Sequence, residues 1–335
     1  MKLNALTGTR GIAAIMVVIF HFGGAYFPFN LIPALFSTGY MAVSYFFVLS
    51  GFVLYISRQQ TSWLSFLVRR IVRIAPAYLI ALLIFVIVYI IYKPPVPSAL
   101  PKQIVITALM IQSFFPDYVL KLNSPGWSVS VEFFFYIVFP LMLLFCNKKG
   151  LFVMLTIIAF LISQSIHLYY FRNIDPLTGS GIFFNPLMHL SQFMTGICGG
   201  MLFEGSGKVY ARNKILPVLL SALLIFMLLY KPDSLSYQAG LISPLFMLLI
   251  LSIAVNGSKW LSYPFMVFLG EISYGIYIYQ LPIFKATGYY FDRNFHWSGQ
   301  GIFWVSFVVL IIVSTLSYYF VEQPLLKLVK KNKKS

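Results

Sequence analysis

The sequence predicts an all-α protein, a polytopic membrane helix bundle of about ten transmembrane spans with one candidate re-entrant helix. Three observations carry that prediction. Of 335 residues, 60% are hydrophobic and only 10% charged, and the mean hydropathy is +0.86, far from the balance of a soluble domain. Apolar runs of about twenty residues, long enough to cross a hydrocarbon core, recur along the whole length. The Lys and Arg residues fall between those runs instead of gathering on one basic face.

Ten spans can be drawn, at 8–27, 38–57, 74–92, 128–146, 151–170, 186–204, 214–230, 238–255, 264–285 and 302–320. The first follows Lys2 and carries Arg10 near its head, as a signal peptide would. No convincing small-residue cleavage site follows, so it is read as a retained span. The second, with aromatic and small residues from Gly39 to Tyr55, suits close helix packing. The segment 102–115, flanked by Pro101 and Pro116, is too short to cross and reads as re-entrant or interfacial. No long polar linker interrupts the pattern, so 1–335 is expected to form a single integral-membrane domain.

The cations test this arrangement. With the N-terminus inside, seventeen Lys and Arg residues lie on inner segments, from Lys2 to Lys334. Seven lie outside: Lys93, Lys102, Lys121, Arg172, Lys231, Lys285 and Arg293. Such asymmetry places both termini in the cytoplasm and requires an even number of spans. It also assigns the net charge of +16 to topology, not to nucleic acid. Cys146 and Cys198 sit in apolar runs without metal-ligand or disulfide spacing, and read as packing residues. His167, His189 and His296 have no HxxE or HExxH companions, so no metal site is expected.

Two polar residues of the first span stand out. Arg10 and His21 are eleven positions apart, close to three helical turns, and so lie on nearly one face. Their separation along the axis is roughly 16 Å, about half a hydrocarbon core. With Arg10 at the cytoplasmic surface, His21 falls near the middle of the membrane. Ionisable groups at such depth are functional-site candidates by default.

The pair, ten residues between its members, resembles the R-x10-H motif of the acyltransferase-3 family of integral-membrane acyltransferases. Five further stretches are similar to motifs of that family: Phe46-Phe47-Val48-Leu49-Ser50-Gly51-Phe52, Arg69-Arg70-Ile71-Val72-Arg73-Ile74-Ala75-Pro76, Trp127-Ser128-Val129-Ser130-Val131-Glu132, Gly270-Glu271-Ile272-Ser273-Tyr274-Gly275-Ile276-Tyr277, and Val321-Glu322-Gln323-Pro324. The resemblance covers essentially the whole chain. It implies transfer of an acyl group, usually acetyl from acetyl-CoA, to a carbohydrate or glycolipid acceptor at a bacterial inner membrane. Acetyl-CoA would be a donor substrate, with no permanently bound cofactor. The chain departs from the family at Gln280, where the family often has His, and in lacking a C-terminal hydrolase-like domain. The second departure implies a membrane domain that works alone or passes the group straight to its acceptor.

The resemblance and the residue chemistry assign roles. His21 is the candidate catalytic base, since histidine titrates in the useful range; the plain alternative is a packed histidine bonded to a backbone carbonyl. Arg10, Arg69, Arg70 and Arg73 are candidates for the donor's phosphates, which arginine binds in multidentate fashion. The plain alternatives are a span anchor for Arg10 and lipid contact for a loop cluster of Arg69, Arg70 and Arg73. Glu132, read at the outer end of the fourth span behind an interfacial Trp127, is expected to face His21 and orient it or bind an acceptor hydroxyl. Its alternative is an acid favoured by the helix start. Ser50, Tyr274, Tyr277 and Gln280 are weaker candidates for a substrate cavity. Glu271 and Glu322 are expected to pair with the arginines. A transporter or flippase of a glycan precursor is the rival reading, although no paired broken spans appear.

Overall fold

The computed structural model describes residues 3–58, 62–92, 97–173, 180–205, 213–230 and 240–331, and no strand forms among them. Of the cations used for topology, Lys2, Lys93, Lys208, Arg212, Lys231, Lys333 and Lys334 lie outside the described residues. Helices of eight or more residues are labelled in chain order: α1 Asn4–Val18, α2 Ala42–Ile56, α3 Trp63–Tyr92, α4 Leu100–Ala108, α5 Trp127–Cys146, α6 Lys149–Asn173, α7 Pro186–Glu204, α8 Leu216–Tyr230, α9 Ser243–Asn256, α10 Pro264–Glu271, α11 Ser273–Phe295, α12 Gly299–Ser317 and α13 Gln323–Lys331. Each expected span finds a helix. Six segments are long and apolar enough to cross a membrane: Asn4–Gly23, Pro33–Ile56, Trp63–Tyr92, Ser124–Cys146, Lys149–Tyr169 and Gly299–Val329.

The others depart from that standard for physical reasons. In α7, fourteen of nineteen residues are buried, Ser191, Gln192 and Thr195 among them. A helix surrounded by protein does not need lipid-like composition. It packs against α2 almost backbone to backbone. A Cβ on Gly196 would lie 1.9 Å from the Val48 carbonyl oxygen, and one on Gly51 would lie 2.1 Å from that of Phe193. With no hydrophobic drive between helices in lipid, such close approach is what joins them. Gly196→Val is therefore expected to abolish recovery of monodisperse protein in size-exclusion chromatography. Gly150→Ala, with nothing within 4 Å, is expected to leave recovery unchanged.

Two expected boundaries are corrected. The arginine cluster is not in a loop. Helix α3 begins at Trp63, where Ser62 Oγ accepts the Ser65 amide at 3.3 Å as an N-terminal cap. No Gly or Pro interrupts the following stretch, so Arg69, Arg70 and Arg73 stand on the helix itself. The span at 264–285 is not one helix. It breaks at Ile272 between α10 and α11, and α11 runs on to Phe295.

The segment 102–115 contains α4 and a single turn at Gln112–Phe114, then coil leads to α5. Several buried polar groups of this stretch are bonded. Gln112 Nε2 donates to Tyr78 Oη and the Gly126 carbonyl, both at 2.8 Å. Ser113 Oγ donates to the Trp127 carbonyl at 2.6 Å, and Asn123 Nδ2 to that of Ile278 at 3.0 Å. Irregular backbone inside a membrane protein is tolerated only when satisfied this way. Helix α5 follows this coil directly, and Trp127 at its start lines a cavity together with Val17 of α1 and His21.

Candidate active site

Arg10 on α1, Arg70 and Arg73 on α3, and Glu132 and Tyr136 on α5 line one cavity. Arg70 and Arg73, three positions apart, share a helix face. Arg69 does not line it. Arg70 lies over the ring of Phe66, 5.3 Å from its centre. Arg10 is in electrostatic range of Arg73 and Glu132. The Glu132 carboxylate accepts Tyr136 Oη at 2.5 Å and Ser50 Oγ at 3.4 Å. Three guanidinium groups and one carboxylate leave an excess of positive charge suited to an anion. Beyond them the cavity is lined by Ser50, Ser128, Ser273, Tyr274 and Tyr277. Tyr274 Oη donates to the Ile74 carbonyl at 2.7 Å; Tyr277 Oη accepts from Ser128 at 2.7 Å and donates to the Pro125 carbonyl at 3.1 Å. Toward the start of α1, Arg10, Leu49 and Val53 are shared with a further cavity that reaches Ser57 and Glu204. There Arg58 pairs with Glu204 at 2.7 Å, and the carboxylate holds the Arg58 guanidinium above its ordinary range.

His21 lies on a π-helical turn, Ile19–Gly23, that continues α1. Such turns recur at functional sites because they re-aim one side chain. It lines a second cavity of about 320 Å³, with Ser44, Phe47, Ser124, Trp127, Phe183 and Phe184 among its walls. Val43 and Phe47 belong to both cavities, so the arginine cavity and the histidine cavity abut.

The imidazole is held by Gln280, which is completely buried. His21 Nδ1 is 2.9 Å from Gln280 Oε1, and Gln280 Nε2 donates to the Tyr277 carbonyl at 2.7 Å. A carbonyl only accepts, so the amide nitrogen must face Tyr277, and Oε1 then faces the ring. Oε1 also only accepts, so Nδ1 carries the proton. The neutral imidazole therefore keeps its lone pair on Nε2. That is the tautomer a general base needs.

The structure thus brings Arg10, Arg70, Arg73, Glu132, Ser50, Tyr274 and Tyr277 into one cavity, and pairs His21 with Gln280 beside it. Glu132 does not face His21. Helix α5 brings Trp127 alongside the histidine cavity and sets Glu132 a turn and a half further on, among the arginines. Glu322 is buried near Arg73 and Arg10 but accepts Ser317 Oγ at 3.4 Å. Among the described residues it forms no ion pair within 4.0 Å, and neither does Glu271. Sequence reasoning missed the orienting bond of Gln280 and the cavity positions of Trp127 and His189. A lone amide in the apolar run Ile278-Tyr279-Gln280-Leu281-Pro282 was the available signal for the first.

A family model described as "Acyltransferase domain" matches residues 3–321. The chain belongs to that acyltransferase family. This member is 23% identical over 363 residues to an O-acetyltransferase, OatA, of Staphylococcus aureus, covering 97% of this chain and 57% of that protein. A putative O-acetyltransferase of the same organism is 23% identical over 364 residues, with the same shares. The acyltransferase MdmB of Streptomyces mycarofaciens is 35% identical over 151 residues, 42% of this chain and 39% of that one. The chain therefore spans little more than half the length of the O-acetyltransferases it matches. No solved structure matches it.

Proposed function

We propose that this chain is a membrane O-acyltransferase domain that moves an acyl group, acetyl in the first instance, from acyl-CoA to a hydroxyl of a carbohydrate or glycolipid acceptor. The observation that carries the reading is the Gln280-held His21, its Nε2 lone pair free for a proton, in a cavity that abuts one lined by three arginines. Family membership and the O-acetyltransferase names of its relatives support it.

In this mechanism acyl-CoA approaches from the cytoplasm, the side that the cation asymmetry assigns to Arg10. Arg10, Arg70 and Arg73 hold its phosphates by charge-assisted bonds. Ser50, Tyr274 and Tyr277 line the path of its arm toward Val43 and Phe47. The acceptor hydroxyl gives its proton to His21 Nε2 as its oxygen attacks the thioester carbonyl. The carbon–sulfur bond breaks, the thiolate takes the proton from the imidazolium, and an ester and free coenzyme A leave a neutral histidine. Both termini are placed in the cytoplasm of a bacterial inner membrane.

Arg73→Ala is expected to raise the KM for acetyl-CoA about tenfold or more, since a charged hydrogen bond is worth roughly 1.5–3 kcal/mol. An unchanged KM removes Arg73 from the donor site. The function itself is tested by mass spectrometry of surface glycans and glycolipids from cells with and without the chain. Loss of O-acetyl groups is expected. Equal acetylation per sugar overturns the reading, whereas a transporter would change the amount exported and not its acetyl content.

A further inference from the structure

We propose that the cavity around His21 is the acceptor's binding subsite, shaped for one pyranose ring, with Trp127 as its stacking platform and His189 as the residue that positions its far wall. The proposal rests on the acyltransferase reading above and adds the recognition of the acceptor to it. The walls are chiefly aromatic. Trp127 is partly exposed to the cavity, and Phe184 and Phe183 stand against it at ring-centre distances of 4.9 and 5.7 Å. A few polar side chains, Ser44, Ser124 and His21 among them, share that lining. A pyranose has this division: a C–H face that an indole covers, and a rim of hydroxyls that needs polar partners. Small-molecule sites follow the same design, apolar and aromatic walls with a few placed polar groups. A plain alkyl alcohol would cover the Ser44 and Ser124 hydroxyls without bonding them, which costs binding. The volume, about 320 Å³, is at the lower end of the ~300–1,000 Å³ range of such sites. It suits one sugar residue of a longer glycan or of a lipid headgroup.

His189 is not a second base. It is 1% exposed, and both ring nitrogens are engaged. Nε2 donates to the Phe183 carbonyl at 2.7 Å, and Nδ1 accepts from Gln192 Nε2 at 3.0 Å. The ring is a strut that ties the Phe183–Phe184 backbone to α7 and sets those two rings against Trp127.

The test uses the full chain in nanodiscs. Saturation-transfer NMR with methyl β-D-glucopyranoside is expected to show transfer strongest at the ring C–H protons of one sugar face. A glucosyl diacylglycerol placed in the same bilayer as competitor tells a lipid-borne sugar, which suppresses the signal, from a soluble one, which persists. In acetyl-transfer kinetics, Trp127→Ala is expected to raise the KM for the glucoside at least tenfold with kcat within threefold, and Trp127→Phe to recover most of that loss. His189→Phe keeps a ring but drops the strut, and is expected to raise the glucoside KM about threefold or more while the KM for acetyl-CoA holds. Absence of saturation transfer from the wild-type protein to the glucoside overturns the proposal, whether or not the alanine variant folds. So does an unchanged glucoside KM in Trp127→Ala. Acetyl transfer to butanol as readily as to the glucoside overturns the subsite and leaves the transferase reading standing; transfer to neither overturns both.

Discussion

Membranes carrying His21→Ala are expected to lose acyl transfer by a factor of about 10²–10⁴, the range that a positioned general base supplies. The protein should be present at its normal level. The side chain faces a cavity and is accessible there, so its removal neither overpacks the bundle nor leaves a buried void. One orphan remains, the Gln280 carbonyl oxygen, which a water in the enlarged cavity can satisfy. The measurement is label moved from radioactive acetyl-CoA to acceptor, normalised to protein in the membrane. Wild-type rates in this variant remove His21 from the chemistry.

Gln280→Leu is expected to be nearly as damaging, by another route. It keeps the apolar volume and removes the acceptor for Nδ1–H. The proton is then free to sit on Nε2, the wrong nitrogen for a base facing the cavity. Loss of the orienting carboxylate of a hydrolytic triad lowers kcat about 10⁴-fold, and a neutral amide that makes a single bond sets a smaller scale. We expect a fall of about 10–10³-fold in kcat with the KM for acetyl-CoA unchanged. Gln280→Glu, which also offers an oxygen to Nδ1, is expected to recover much of the rate and to shift its pH profile upward, since a carboxylate stabilises the imidazolium. An alanine-like loss in both variants would mark a packing role. Nitrogen chemical shifts of His21 give a readout that packing alone would not move: protonated Nδ1 in the wild type, a mixture in Gln280→Leu.

Much of this was legible in the residues before any coordinates. The ten apolar runs became helices because lipid leaves the backbone no other way to satisfy itself. Arg10 stood out as a charge at the head of an apolar run, and Arg70 and Arg73 through a motif resemblance; their shared cavity with Glu132 is what the structure adds. What was not legible is long-range pairing. Nothing in 102–126 announces that its Thr107, Gln112 and Asn123 would be bonded by Tyr78 and Ile278, partners from distant positions. Helix α5 follows that stretch directly, and on it Glu132 joins the arginines and Trp127 joins the histidine. The bond between His21 and Gln280 spans 259 positions of sequence, and no local pattern foretells it. The break at Ile272 was hidden for the opposite reason: the apolar run continues through it, and only the packing of α1 shows the need. A Cβ on Gly270 would lie 1.8 Å from the Thr7 carbonyl oxygen.

The most direct test of the account is acetyl transfer by the purified chain alone. Wild-type protein in nanodiscs, given labelled acetyl-CoA and a glucoside acceptor, should yield labelled acetyl ester and free coenzyme A in equal amounts, and His21→Ala protein prepared alongside should yield neither above background. Equal ester formation by the two proteins, or none by folded wild-type protein that binds acetyl-CoA, would contradict it.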